Sequence, residues 1–152
     1  KYLTAGVFAP AVFFYKELYN MTEITCTYTG DGETALVHGP TGTTLKTDLP
    51  PDNGGKGRCF SPTDLLAAAF ASCTLNIMGK MAAARGDDFT GAHLSIQKIM
   101  AANPRRVGEF VLEITFPAHF TQEQKKFYLS AVNACPVHQT LSKDVKLTVR
   151  VL

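Results

Sequence analysis

The residues best able to do chemistry in this chain are its four cysteines, Cys26, Cys59, Cys73 and Cys135. A thiolate can act as nucleophile, metal ligand or redox centre. No C-x-x-C pair is present, and His38, His93, His119 and His138 share no ligand spacing with the cysteines, so no metal site is expected. Cys135 stands directly before Pro136, a residue suited to the first position of a helix. That would set its sulfur at the positive end of a helix dipole, where thiolate is favoured, with His138 three residues further on. Cys73 lies within SPTDLLAAAFASCTLNIMGKMAAARG, residues 61–86. On an ideal helix it shares a side with Leu66, Phe70 and Ile77, and also with Asn76 and Lys80. For both cysteines two readings stand. Each is either a small buried hydrophobe, a common use of cysteine, or a thiol tuned by its surroundings. Cys26 falls on the apolar phase of a strand pattern and is expected in a core, while Cys59 lies in a loop.

The element that must position Cys73 is a helix over residues 61–86. Ser61 is a good N-cap, Pro62 suits the first turn, and Arg85-Gly86 supplies a stop. Apolar residues and alanines surround most of its circumference, the pattern of a buried helix. Before it, residues 24–28 alternate as a strand, Gly30-Asp31-Gly32 is a turn, and residues 34–38 and 43–47 are further strands. Residues 48–60, DLPPDNGGKGRCF, form a loop carrying Lys56 and Arg58. After the helix, residues 93–102 and 107–116 read as a hairpin, with a bulge at Ile99-Met100. Residues 121–134 read as a second helix opened by a Thr121/Gln124 capping box, and residues 145–151 as a last strand. Hairpins dominate this order, so an α+β fold with antiparallel sheets is expected.

Composition narrows the function. A chain of 152 residues with 45% apolar and 18% charged residues has the makings of an ordinary globular core. A net charge of +2, with no basic cluster among aromatics, gives no reason to expect nucleic acid as a partner. Asn76 and Lys80 interrupt the long apolar helix, so no membrane span is expected. Residues 1–20 read as an extension or arm ahead of a domain over residues 21–152. Without a convincing secretory signal, the cytoplasm is the expected compartment, and there a cysteine pair points to redox chemistry. The extent of apolar surface on the helix and strands suggests a dimer.

Two stretches together resemble the OsmC/Ohr family of stress-induced thiol peroxidases. Residues 54–73, GGKGRCFSPTDLLAAAFASC, resemble the approach to that family's first cysteine, and residues 135–141, CPVHQTL, resemble the surroundings of its second. The order of elements agrees over residues 21–152, closest to the broad OsmC-like branch. The resemblance implies an α+β fold of two interlocked subunits with the long helix central in a homodimer. It implies that Cys73 attacks a hydroperoxide and becomes a sulfenic acid. Cys135 then resolves it to a disulfide, which a dithiol reduces, with no cofactor or metal. Peroxidase members of the family activate the first cysteine with an early-hairpin arginine and a glutamate at the start of the long helix. Here residues 27–36 hold no arginine, and Thr63 stands at the glutamate position with Asp64 beside it. Asp64 falls on the opposite side of an ideal helix from Cys73. Arg58 and Lys56 are the alternative cations near the helix start.

Two functions follow as expectations. The first is a cysteine-based peroxidase for organic hydroperoxides or hydrogen peroxide in oxidative-stress defence. The second is a non-catalytic OsmC-like dimer that binds a small apolar ligand or a partner.

Overall fold

The structure, a computed structural model, describes residues 21–152. The arm expected at residues 1–20 lies outside them. The chain divides into two compact units, one ending at Ser61 and one beginning at Pro62.

The first unit is an antiparallel meander of β1 (Ile24–Gly30), β2 (Glu33–His38) and β3 (Thr44–Asp48). Its first turn runs through Gly30, Asp31 and Gly32, all at positive φ, which suits glycine and is tolerated by aspartate. Strand alternation sets Ile24, Cys26 and Tyr28 opposite His38, Leu36 and Thr34. This face is open: Ile24 is 61% and Tyr28 69% exposed, and Cys26 is exposed as well. The expected core position of Cys26 is therefore corrected. Alternation encodes which face of a strand is apolar, but burying that face takes a second layer. The loop after β3 contains a 3-10 turn at Pro51–Asn53. It passes so close to Leu49 that a Cβ on Gly55 would lie 1.9 Å from the Leu49 carbonyl oxygen, which only glycine permits.

The second unit begins with α1 (Pro62–Arg85). Its end follows the sequence signal: Gly86 takes φ 73°, and Asp87 N–H donates to the Ala82 carbonyl at 3.0 Å. Next come β4 (His93–Ala101) and β5 (Arg106–Thr115), an antiparallel pair whose register shifts at Ile99/Met100, where the pattern placed a bulge. Then follow α2 (Gln122–Leu129), α3 (Ala131–Ala134), α4 (Pro136–Thr140) and β6 (Lys146–Val151). The Thr121/Gln124 capping box is formed, with both reciprocal bonds present.

Two expectations change here. The single helix over residues 121–134 is broken at Ser130, whose hydroxyl donates to the Phe127 carbonyl at 2.7 Å and so competes with the helical ladder. And β6 pairs with β5 in parallel, so the second sheet is mixed rather than antiparallel. The intervening helices form the long crossover that a parallel pairing requires.

The core of this unit lies between α1 and one face of β5. Phe110, Leu112 and Ile114 are fully buried there, and Phe70 meets Phe110 edge-on at 5.5 Å. The other face of β5 is ionic: Glu109 pairs with Lys146 and Glu113 with Arg150, each at 3.1 Å. The helix expected to be buried nearly all round is buried along one stripe, Ala67, Phe70, Thr74, Met78 and Ala82. Leu66, Ala69, Ser72, Asn76, Lys80 and Ala83 are exposed. By length and composition α1 could cross a membrane, yet its stripe packs with the sheet residues as a core helix does.

Candidate functional site

Cys73 sits beside the buried stripe of α1 and is half-buried; its helix neighbour Thr74 is fully buried. Cys135 is both the C-cap of α3 and the N-cap of α4, extended at φ −67°, ψ 119°. The proline that follows disfavours a helical conformation for the residue before it, so the break falls at the cysteine. The fold brings the two cysteines together. The Cys73 thiol comes within interaction range of Cys135, which is completely buried, and of the backbone N–H of Val137. Burial pushes the Cys73 thiol up from its ordinary value, and the interaction with Cys135 acts in the same direction. The Val137 amide opposes both by stabilising thiolate.

Cys135 stands at the N-terminus of α4, where its Cys-Pro sequence placed it, but makes no side-chain cap bond, and the Val137 amide near that terminus lies close to Cys73. All four cysteines are free thiols. Cys59 is exposed, its sulfur 3.5 Å from the Lys46 carbonyl oxygen.

His138 occupies the middle of α4. Its Nδ1 lies 3.0 Å from the Val132 carbonyl oxygen, and its ring stacks on Phe70 with centroids 5.5 Å apart and planes 16° from parallel. Because a carbonyl can only accept, Nδ1 carries the proton.

The four residues named as possible activators have the following surroundings. In the first unit, Arg58 grips the buried Asp48 through Nε at 2.8 Å, Nη2 at 3.1 Å and its own backbone N–H at 2.9 Å. It also donates to the Asp31 carboxylate at 3.1 Å and carbonyl at 2.8 Å. Lys56 binds the same Asp31 carboxylate at 2.6 Å. Arg58 holds the Asp48 carboxyl far below the usual carboxylate range, and Asp48 in turn raises Arg58. Both cations are thus matched by carboxylates within their own unit. In the second unit, Asp64 pairs with Lys98 of β4 at 3.3 Å, and Thr63 is half-buried in the first turn of α1. Among the described residues no cluster of three or more His, Cys, Asp or Glu could hold a metal ion.

Sequence reasoning placed Phe70 beside Cys73 but missed Asp48 and Asp31 as partners of Arg58, Val137 as a neighbour of Cys73, and the stacking of His138 on Phe70. The Cys-Pro spacing was the available signal for Val137, since it marks where a helix must begin.

The fold is α+β, and it carries Cys73 and Cys135 from distant parts of the chain close to one another. The pattern of the OsmC-like protein family matches residues 54–150, more than half the chain. Among solved structures, a Psychrobacter arcticus protein described as osmotic stress induced and acting in a detoxification response is 39% identical. Its TM-score is 0.82, with 87% of this chain and 96% of that one covered. An OsmC-like protein from Mycoplasma pneumoniae is 21% identical with a TM-score of 0.73, covering 87% and 96%. OhrB of Bacillus subtilis, an organic hydroperoxide resistance protein, is 15% identical with a TM-score of 0.65, covering 87% and 98%. These last two share the fold. No match was found among curated proteins. The chain belongs to the OsmC/Ohr family.

Proposed function

We propose that the protein is a cysteine-based peroxidase that reduces organic hydroperoxides or hydrogen peroxide in oxidative-stress defence. The observation that carries this reading is the proximity of the Cys73 and Cys135 thiols, with the Val137 amide close to Cys73. The Cys73 thiolate attacks the distal peroxide oxygen, the O–O bond breaks, and the alcohol leaves after taking a proton. Cys73 is then a sulfenic acid. The Cys135 thiolate attacks that sulfur, water departs, and a disulfide joins the two. A dithiol returns both to thiols by exchange, itself becoming oxidised. The family assignment and the hydroperoxide-resistance description of the Bacillus relative are in keeping with this chemistry. A homodimer in the cytoplasm is part of the same proposal, and the exposed apolar residues of α1 are in keeping with a second copy lying against it.

The test uses purified protein with peroxide and a dithiol. Cys73→Ser abolishes consumption, whereas Cys135→Ser retains a single turnover and accumulates sulfenic acid detectable by mass spectrometry. Sustained turnover by both variants refutes the proposal.

A second reading, a non-catalytic OsmC-like dimer binding a small apolar ligand or a partner, is favoured by one observation: burial pushes the Cys73 thiol up, away from thiolate. Under that reading Cys73 fails to react with stoichiometric peroxide near neutral pH.

A further inference from the structure

We propose that His138 is a positioning residue that clamps the segment from Cys135 to Val137 onto α1, holding the Val137 amide and the Cys135 sulfur against Cys73. The inference rests on the reading of Cys73 and Cys135 as a working thiol pair.

The groups that meet Cys73 come from Cys135 and from α4, which begins at the next residue and has five residues. A helix that short has little stability of its own and keeps its place through packing, with Val137 against the core, and through tethers. Two side chains tie it back to α3. Gln139 donates from Nε2 to the Asn133 carbonyl at 2.5 Å, and His138 donates from Nδ1 to the Val132 carbonyl at 3.0 Å. Gln139 is exposed. His138 is half-buried and goes further, because its ring lies flat on Phe70 of α1, 5.5 Å between centroids. Phe70 is fully exposure-free and stands one helical turn before Cys73, and Val132 is 4% exposed. His138 therefore joins three helices beside the two thiols, Cys73 on α1 and Cys135 at the junction of α3 and α4. Its anchors are both packed into the core and cannot shift cheaply. The bond to Val132 uses a nitrogen that carries a proton in the neutral ring with this tautomer and in the imidazolium alike, so the clamp holds in both charge states.

The test separates the ring from the donor. His138→Phe keeps the stacking surface and loses the donor; His138→Asn keeps a donor near Nδ1 and loses the ring; His138→Ala loses both. Gln139→Ala is the control for a tether that does not reach α1. Two properties are measured on full-length protein. One is the pH dependence of Cys73 alkylation by iodoacetamide, resolved by peptide mass spectrometry. The other is the rate of Cys73–Cys135 disulfide formation with diamide, which takes up the two electrons and two protons released by the thiols.

His138→Ala is expected to slow disulfide formation about tenfold through loss of alignment and to push Cys73 alkylation to higher pH, because the Val137 amide no longer opposes burial. The Phe and Asn variants fall between Ala and wild type, the Asn profile keeps the wild-type shape, and Gln139→Ala matches wild type. Wild-type behaviour of a folded His138→Ala overturns the clamp. If that variant does not fold, wild-type behaviour of both the Phe and Asn variants overturns it. Should peroxide consumption be absent in wild type while the diamide rates follow this order, the peroxidase reading fails and the clamp stands.

Discussion

Replacing Thr74 with valine removes a hydroxyl that the fold buries without compensation. Thr74 is fully buried in the α1 stripe, and its Oγ1 is the one buried side-chain polar atom without a hydrogen-bond partner among the described residues. A buried hydroxyl left unpaired costs about 1–3 kcal/mol. Valine has the same branching, fills nearly the same space and keeps the χ1 restriction that a helix already imposes. At the low end of that range, Thr74→Val stabilises the protein by about 1 kcal/mol. With a urea m-value of about 2 kcal/mol/M, the unfolding midpoint rises by about 0.5 M, and Tm by about 2–4 °C. Thr74→Ser makes the opposite change: it keeps the hydroxyl, deletes the methyl and leaves a small void, at a cost of about 0.5–1.5 kcal/mol. The assay is urea denaturation followed by circular dichroism at fixed protein concentration, comparing midpoints at unchanged m. Thr74→Val less stable than wild type by more than about 0.5 kcal/mol refutes the reasoning, because it means the native hydroxyl is paired.

Since burial raises the Cys73 thiol, its alkylation rate keeps climbing beyond pH about 8.5, the free-thiol value; a plateau at or below that pH contradicts the assignment. The sign for stability follows. A raised folded-state value means that the folded chain holds the proton longer, so this contribution is present below the unfolded pKa and is lost as pH rises through the folded one. Tyr128 donates from its buried hydroxyl to Asp87, which also accepts from Gln124 at 3.2 Å. Tyr128→Phe costs about 1–2 kcal/mol at neutral pH. This bond is the chief reason Asp87 lies below its usual range, so the difference shrinks as pH falls below about 4 and the carboxylate protonates; a penalty that grows in acid contradicts it.

Much of the local structure could be read from residue types alone. The start and stop of α1, the Thr121/Gln124 capping box, the turn at Gly30-Asp31-Gly32 and the bulge at Ile99/Met100 all rest on backbone rules that act over a few residues. The helix beginning after Cys135 was legible for the same reason, since proline constrains both itself and its predecessor. The family resemblance was carried by two short stretches, and it linked Cys73 to Cys135 where no spacing rule could.

What the local pattern did not contain was which partner each group meets. Alternation in β1 marked an apolar face but not whether a layer would cover it, and so Cys26 was placed in a core it does not enter. Apolar residues all round α1 did not say which stripe the chain itself would cover. Parallel pairing of β6 with β5 depends on where the crossover returns the chain, and no residue in either strand encodes that. The thiol pair shows the division most plainly. Sequence placed Cys135 at a helix start and Cys73 mid-helix. Only the packing of α4 on α1, through His138 and Phe70, decided that the amide at that helix start would face Cys73. Hydrogen bonds and burial are properties of atoms brought together across the chain, so the tuning of the thiol belongs to the tertiary structure and the presence of the thiol to the sequence.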